Sequence, residues 1–147
     1  MAASFLVSSD FSPEVAKQAR AGKDVVGRWI NELNSILIIE HVDKDGNISG
    51  KYNSAAGNAE DFYALSGKLE PGLLDRSKGR PVGLTVVWKN DKMDACSVTT
   101  WSGQFYSLPD KDVLIANWLL TRCQDFKDAW EATIVGQDHF VKVPELK

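Results

Sequence analysis

The sequence predicts an all-β fold, either an up-and-down antiparallel barrel or a sandwich. From Val25 onward, eight short runs of alternating or β-branched residues follow one another, which is the pattern of half-buried strands. Between them lie turn-forming sequences such as DKDGN, NDKMD and SLPDKD, which suit hairpins. If the sheet closes, a barrel of eight strands has an interior just wide enough for one small ligand.

The eight predicted strands share β-branched and aromatic residues and are bounded by turn chemistry. In chain order they are GRWINELNS (27–35), ILIIEHV (36–42), NISGKYNSA (47–55), DFYALSGKL (61–69), PVGLTVVWK (81–89), ACSVTTWSGQFY (95–106), VLIANWLLTRC (113–123) and EATIVGQDHFVKV (131–143). The second is almost wholly apolar, whereas both faces of the first mix apolar and polar residues.

Composition indicates one globular domain, predicted at residues 25–147, with residues 1–24 as an N-terminal extension. In that extension SPEVAKQARAG can form two helical turns, because Ser12 and Pro13 resemble a helix start and Gly22 a stop. The net charge of −3 gives no basic excess, so nucleic acid is not an expected partner, and no apolar run is long enough for a membrane-spanning helix. The first residues make a poor secretory signal, and the compartment stays open.

The faces of the strands are assigned by taking any face with a tryptophan as inward. This rule gives apolar sets such as Val82, Leu84, Val86 and Trp88 in the fifth strand. The inward set also contains seven polar side chains near strand ends, namely Asn31, Ser35, Tyr52, Ser54, Ser97, Thr99 and Asp138. Each would cost about 1–3 kcal/mol if buried without a partner. They can bond to one another or to trapped water, but together with the tryptophans they favour a small polar ligand with apolar flanks.

Several of these segments resemble the avidin and streptavidin family of biotin-binding proteins. The segments are GRWINELNS, GKYNSAAGNAE, TVVWKN, SVTTWSGQF, NWLLT and WEATIVGQDHFVKV, and their pattern is closest to the streptavidin-like members. The resemblance covers all eight strands, from Gly27 to Val143. It implies an eight-stranded antiparallel up-and-down β-barrel, and it says nothing about the short N-terminal extension at residues 1–24, which is predicted from the residues alone. It also implies high-affinity, non-covalent biotin binding in one end of the barrel, without a cofactor, for biotin sequestration or defence.

The resemblance assigns the polar residues to the two sides of the biotin urea. Asn31, Ser35 and Tyr52 are the implied donors to the urea oxygen, and Ser54 and Asp138 are the implied acceptors of its two N–H groups. An aspartate that accepts from a polarised N–H makes a charge-assisted hydrogen bond, which is stronger than a neutral one.

The remaining implied contacts lie along the apolar ring and the carboxylate tail. The residues implied to wall the ring are Leu33, Trp88, Trp101, Trp118 and Leu120, with Thr99 at the sulfur. Ser97 and the backbone N–H of Asn58 are implied to meet the carboxylate, under a lid formed by SAAGN. Ala56 in that lid stands where larger residues are common in the family.

Assembly is also implied by the resemblance. In the family, the tryptophan at the position of Trp130 covers the ligand of a neighbouring subunit. The outward faces of the last two strands are apolar, with Val113, Ile115, Leu119 and Val135 among them. We therefore expect a homo-oligomer, a tetramer in preference to a dimer.

Two other functions can be weighed against biotin binding. One is an avidin-like barrel that binds a different small ligand or a peptide, although all five urea partners are kept. The other is catalysis, which is not expected because Asp138 and His139 are neighbours in a strand and face opposite sides. No Cys/His cluster with metal-ligand spacing is present in the sequence.

The two cysteines allow two outcomes. Cys96 comes five residues before Trp101, and Cys123 comes five residues after Trp118. If the two tryptophans lie opposite each other, the two cysteines are therefore also opposite each other, on the outer face. Opposed residues of a non-hydrogen-bonded pair come close enough for a disulfide. A disulfide and two free thiols are equally compatible with the sequence.

Overall fold

Eight antiparallel strands pair in chain order and close into a barrel where β8 meets β1. The computed structural model describes residues 22–55, 61–71 and 78–145. The strands are β1 (Gly27–Asn31), β2 (Ile36–Val42), β3 (Asn47–Asn53), β4 (Tyr63–Leu69), β5 (Arg80–Lys89), β6 (Asp94–Ser107), β7 (Asp112–Arg122) and β8 (Thr133–Lys142). The all-β prediction is confirmed, and the closed sheet decides for a barrel over a sandwich.

One end of the barrel is closed by the segment before β1. A short 3₁₀ turn, Lys23–Val25, lies across this end, and Trp29 Nε1 donates to the Val25 carbonyl at 3.0 Å. The Asp24 carboxylate accepts two hydrogen bonds from the Arg80 guanidinium, at 2.7 and 2.9 Å. Lys142 Nζ donates to the Asp24 carbonyl at 2.8 Å. These contacts hold the segment before β1 against this end of the barrel.

The barrel interior is apolar at mid-height, as alternation predicts. Every strand contributes aliphatic or aromatic side chains that are almost fully buried, including Trp29, Leu37, Ile39, Ile48, Leu65, Val82, Leu84, Val86, Phe105, Leu114 and Phe140. Trp29 of β1 packs against Phe105 with ring centroids 5.1 Å apart. The predicted inward face of the fifth strand is therefore confirmed.

The first predicted strand is too long. β1 ends at Asn31, and residues 32–35 form a turn in which Asn34 has a φ of 66°. The Asn31 side chain causes this turn, because its Oδ1 accepts from the backbone N–H groups of Leu33 and Ser35, at 3.0 and 2.9 Å. Asparagine competes with the strand ladder in this way whenever its side chain can reach the backbone two to four residues ahead. Ser35 therefore faces inward because of this turn, and not because of the alternation of side chains along a strand.

The register of β6 and β7 agrees with the sequence prediction. Trp101 pairs with Trp118, and Cys96 and Cys123 lie opposite each other and form a disulfide, with their Cα atoms 5.7 Å apart. The sequence prediction of a non-hydrogen-bonded pair was wrong. Cys123 N donates to the Cys96 carbonyl at 2.9 Å, so the two cysteines form a hydrogen-bonded pair. The wider Cα separation of such a pair still falls in the disulfide range.

The outer surface carries an apolar area on β5 to β8. Val87 pairs with Val98, and Leu119 pairs with Val135, and all four are exposed, Val135 at 71%. We name this set the outer apolar face.

The connection between β7 and β8 holds a 3₁₀ helix, Phe126–Glu131, whose two aromatic side chains are also exposed. In the part of the chain that is described, no helix has the length and apolar character to cross a membrane.

Two sequence predictions fall outside the described residues. One is the short helix in SPEVAKQARAG, and the other is the lid with Ala56 and Asn58. Both stay predictions.

Candidate functional site

A cavity of about 460 Å³ opens at the end of the barrel opposite the Lys23–Val25 turn. It lies where β1, β3, β5 and β7 end and where β2, β4, β6 and β8 begin. This volume is within the roughly 300–1,000 Å³ typical of small-molecule sites. The lining residues are Asn31, Leu33, Ser35, Tyr52, Ser54, Tyr63, Trp88, Met93, Ala95, Ser97, Thr99, Trp101, Trp118, Leu120, Arg122 and Asp138.

A carboxylate held by two donors lies at the inner end of this cavity. Asp138, on β8, is only 6% exposed. Its Oδ1 accepts from Asn31 Nδ2 at 3.2 Å, and its Oδ2 accepts from Trp101 Nε1 at 2.9 Å. Two carboxylate oxygens offer about four lone-pair directions, so each retains one for a ligand donor. The Asn31 amide likewise retains one of its two N–H groups.

Burial raises the pKa of Asp138 above its usual value, and the nearby Glu32 adds to the increase. The hydrogen bonds from Trp101 and Asn31, together with His139, act in the opposite direction and favour the ionised form. The site therefore holds a desolvated acceptor whose charge is only partly compensated by the protein. A ligand N–H group would supply a further donor to it.

Two hydroxyl groups line the cavity together with Asn31, that of Ser35 in the turn before β2 and that of Tyr52 on β3. Ser35 Oγ accepts from the backbone N–H of Ala55 at 2.9 Å, which leaves the hydroxyl proton for another acceptor. Burial is the main cause that raises the pKa of Tyr52, and the negative charge of Asp138 raises it further. A hydrogen bond with Ser35 acts in the opposite direction and lowers the pKa. The phenol therefore stays protonated at neutral pH and can donate. Asn31, Ser35 and Tyr52 thus bring three potential donors together, and an incoming acceptor would replace the hydrogen bond between Ser35 and Tyr52.

The aromatic wall is built by cross-strand packing. Tyr52 lies between two tryptophans, with ring centroids 5.0 Å from Trp101 and 5.8 Å from Trp88. Trp88 Nε1 donates to Thr99 Oγ1 at 2.7 Å, which fixes the indole plane. The Trp118 ring lies directly over Gly136, where an added Cβ would come within 2.2 Å of it. The cavity thus has polar groups at one side and indole faces around it.

Most of the sequence-predicted site residues come together in this cavity. The residues in its lining are Asn31, Leu33, Ser35, Tyr52, Ser54, Trp88, Ser97, Thr99, Trp101, Trp118, Leu120 and Asp138. Leu33 is on the rim and 59% exposed, because the turn after β1 carries it out of the barrel. Trp130 is 82% exposed and does not belong to the lining of its own barrel.

The histidine beside Asp138 points away from the cavity. His139 Nε2 bonds to Gln137 Oε1 at 3.0 Å, and the His139 backbone N–H donates to Glu32 Oε2 at 3.1 Å, both on the exposed side. Asp138 and His139 therefore do not form a catalytic pair. Within residues 22–55, 61–71 and 78–145, no cluster of three or more His, Cys, Asp or Glu is placed to hold a metal ion.

Four lining residues were not predicted from the sequence: Tyr63, Met93, Ala95 and Arg122. Ala95 and Arg122 lie two residues from Ser97 and Leu120 on the same strands, so the alternation could have identified them. Tyr63 is in a strand without a tryptophan, where the face rule gives no answer. Met93 lies in the turn between β5 and β6, and no periodicity in the sequence points to it.

Comparison with known proteins agrees with this geometry. The profile described as Avidin family matches residues 19–143. The chain is 32% identical to Avidin-related protein 4/5 of Gallus gallus over 122 residues, which is 81% of this chain and 77% of the relative. It is 31% identical to Avidin of Gallus gallus, over 84% of this chain and 80% of the relative. Afifavidin of Afifella pfennigii is also 31% identical, over 80% of this chain and 70% of the relative. The chain therefore belongs to the avidin family.

Proposed function

We propose that this protein binds biotin non-covalently, with high affinity, in the open end of its barrel. The observation that carries the proposal is the buried Asp138 carboxylate. Its two oxygens are held by Asn31 and Trp101, and each can still accept one hydrogen bond. Biotin offers an N–H donor for this carboxylate and a urea oxygen for the nearby donors. The acceptor and the donors lie side by side, as a cyclic urea requires.

The urea oxygen would receive three hydrogen bonds. They come from the second Asn31 N–H, the Ser35 hydroxyl and the Tyr52 phenol. Three donors at one oxygen favour the charge-separated resonance form of the urea, which makes its N–H groups better donors to Asp138 and Ser54. The oxygen of Asn31 is unavailable for this purpose, because it accepts the two backbone N–H groups of the following turn. The turn therefore fixes the amide with its donor end facing the ligand.

The apolar part of biotin fits the remaining wall. Trp88, Trp101 and Trp118 present ring faces to the cavity, and burying apolar ligand surface contributes about 25 cal/mol per Å². Ser97 lines the cavity nearer its mouth, and we propose that it meets the carboxylate tail. The proposal includes Asn58 and Ala56 as lid residues on the resemblance alone. No cofactor is part of the proposed function, and no catalytic step is proposed.

Assembly is the second part of the proposal. We expect a homo-oligomer, a tetramer in preference to a dimer, that buries the outer apolar face. Trp130 supports this, since it is exposed on its own barrel and would gain burial by covering the site of a neighbour. Light scattering should give a mass several times the chain mass of 16.2 kDa. A monomer that binds biotin tightly would contradict this part alone.

Retention on immobilised biotin tests the binding. The wild-type protein should be retained, and incubation with excess free biotin beforehand should prevent its retention, whereas Asp138→Ala should be retained far less. Asp110→Ala is the matched control, because Asp110 is exposed in the hairpin at the closed end and lines no part of the cavity. If folded wild-type protein passes through the column, or if both variants behave alike, biotin is not the ligand of this site. Retention that prior incubation with excess free biotin does not prevent would likewise count against the proposal.

A further inference from the structure

A cation stands at the mouth of the cavity, and the binding scheme above does not use it. Arg122 is the last residue of β7 and shares the inward face with Trp118 and Leu120. Its partner across the β6–β7 ladder is Ser97. The backbone N–H of Arg122 donates to the Ala132 carbonyl at 2.9 Å, on the side away from β6. Ser97 and Arg122 therefore form a non-hydrogen-bonded pair, the type in which opposed side chains come closest.

The disulfide next to this pair fixes its spacing. Cys96 precedes Ser97 and Cys123 follows Arg122, and the bond between the two sulfurs joins the ends of β6 and β7. A serine hydroxyl and a guanidinium are thus held side by side at the rim. No carboxylate of the described ranges lies within ion-pair distance of this guanidinium.

The two charged groups that line the cavity lie at opposite ends of it. Asp138 is opposite Ala116, six residues before Arg122 on β7. Six residues of strand span about 20 Å, and the tilt of a barrel strand reduces this to roughly 15 Å along the axis. The arginine side chain can bridge several ångströms of that distance when it folds inward. The cavity is therefore matched to a ligand with N–H donors at one end and an anion at the other.

We propose that Arg122 binds the carboxylate of the ligand tail and makes the site prefer free biotin to biotin joined through an amide. The inference rests on the proposed function and adds a specificity-determining residue to it. A guanidinium matches a carboxylate with two parallel hydrogen bonds and remains charged at every accessible pH. An amide in the same place has no charge and only one oxygen. Ser97 then donates to a carboxylate already held by its cross-strand neighbour.

Competition against radiolabelled biotin measures the preference directly. Unlabelled biotin and biotin amide are compared for the wild-type protein, for Arg122→Gln and for Arg28→Gln. Arg28 is the matched control, since it is exposed near the closed end and lines no part of the cavity. Arg122→Gln should weaken biotin three- to tenfold and biotin amide less than twofold, and Arg28→Gln should change neither. Thermal unfolding of each variant verifies that the exposed substitutions leave the barrel folded.

Ionic strength provides an independent readout. Raising salt from about 0.01 M to about 1 M shortens the Debye length from about 30 Å to about 3 Å. Over this range, the preference of the wild-type protein for biotin over biotin amide should decrease. The preference of Arg122→Gln should stay nearly constant. Equal weakening of both ligands by Arg122→Gln, or an unchanged preference, would overturn the inference and leave biotin binding intact. If neither ligand competes in the wild-type protein, the proposed function fails and this inference fails with it.

Discussion

Gly136 is the position where the smallest substitution should do the most damage to the site. It lies on β8 directly opposite Trp118 of β7. A methyl group at Gly136 would come within 2.2 Å of Cζ2, 2.5 Å of Cε2 and 2.9 Å of Cη2 of the Trp118 indole. All three distances are shorter than any carbon contact can be, and a rigid ring cannot yield at one atom alone. The indole must therefore rotate or shift as a whole.

The magnitude follows from two separate effects. Overpacking of this kind costs about 1–3 kcal/mol of unfolding free energy. Trp118 also walls the cavity, so its displacement changes the shape that the ligand meets. We expect Gly136→Ala to weaken biotin at least about tenfold, which corresponds to about 1.4 kcal/mol. The variant should also shift the tryptophan emission of the ligand-free protein.

Gly83→Ala is the matched control for this prediction. Gly83 is also a strand glycine, on β5, but a methyl group there meets only the Trp101 carbonyl oxygen, at 3.9 Å, an ordinary contact distance. Urea denaturation and biotin titration on both variants complete the assay. Gly83→Ala should stay within about 0.5 kcal/mol of wild type, as surface substitutions usually do. If Gly136→Ala matched it in both stability and affinity, the placement of Trp118 would be wrong.

Three further predictions concern the disulfide, the turn after β1 and the raised pKa of Asp138. Replacing Cys96 and Cys123 by Ser opens a loop with a sequence separation of 27 and should lower the unfolding free energy by about 3–4 kcal/mol, seen as a lower urea midpoint; an unchanged midpoint would contradict a structural disulfide. Asn31→Ala deprives two backbone N–H groups of their acceptor and should cost about 2–4 kcal/mol in addition to weakening biotin; wild-type unfolding in urea would refute its role in the turn. The pKa of Asp138 is raised in the folded protein. On acidification, biotin binding should therefore weaken at a higher pH than it would with an ordinary carboxyl group at this position. The same protonation should stabilise the ligand-free protein, because the folded state then binds the proton more tightly than the unfolded state. Titrations at decreasing pH should show both trends, and both should be reduced in Asp138→Ala; an equally steep pH dependence in that variant would assign the effect to another group.

Strand order and the inward faces could be predicted from the sequence because both follow from local rules. Alternation determines which side chains share a face, and a barrel built from hairpins leaves little freedom of topology. The register of β6 and β7 could be predicted conditionally, since pairing Trp101 with Trp118 keeps both inward and centres the turn between Pro109 and Asp110, and the structure has this pairing. From that register the opposition of Cys96 and Cys123 follows without any further assumption.

The end of β1 could not be predicted from alternation. Asn31 reads as one more inward residue of a strand, yet its side chain captures two backbone N–H groups and ends the strand there. Whether an asparagine makes such a turn depends on the chain that folds over it, here the Ala55 N–H bound to Ser35. The same limit applies to Met93, whose position in the cavity depends on how a turn folds back.

The polar groups of the site show what a composition argument leaves out. The inward polar residues were expected to bond to one another, to water or to a ligand, and the structure shows that tryptophan N–H groups also serve as their partners. Trp88 bonds to Thr99, and Trp101 bonds to Asp138. Each of these polar groups makes some of its possible hydrogen bonds within the protein and keeps the others for a ligand. The structure is needed to tell which are which. Preorganised groups of this kind lose little freedom on binding, which favours affinity.

Titration calorimetry of the wild-type protein with biotin tests the central claim most directly. We expect saturable, exothermic binding at one biotin per chain, with a negative heat-capacity change from the burial of apolar surface among Trp88, Trp101 and Trp118. The same titration of Asp138→Ala should show much weaker binding at the same stoichiometry, and Asp110→Ala should match wild type. Folded wild-type protein that produces no binding heat at several temperatures, and that does not retain biotin on equilibrium dialysis, would contradict the account.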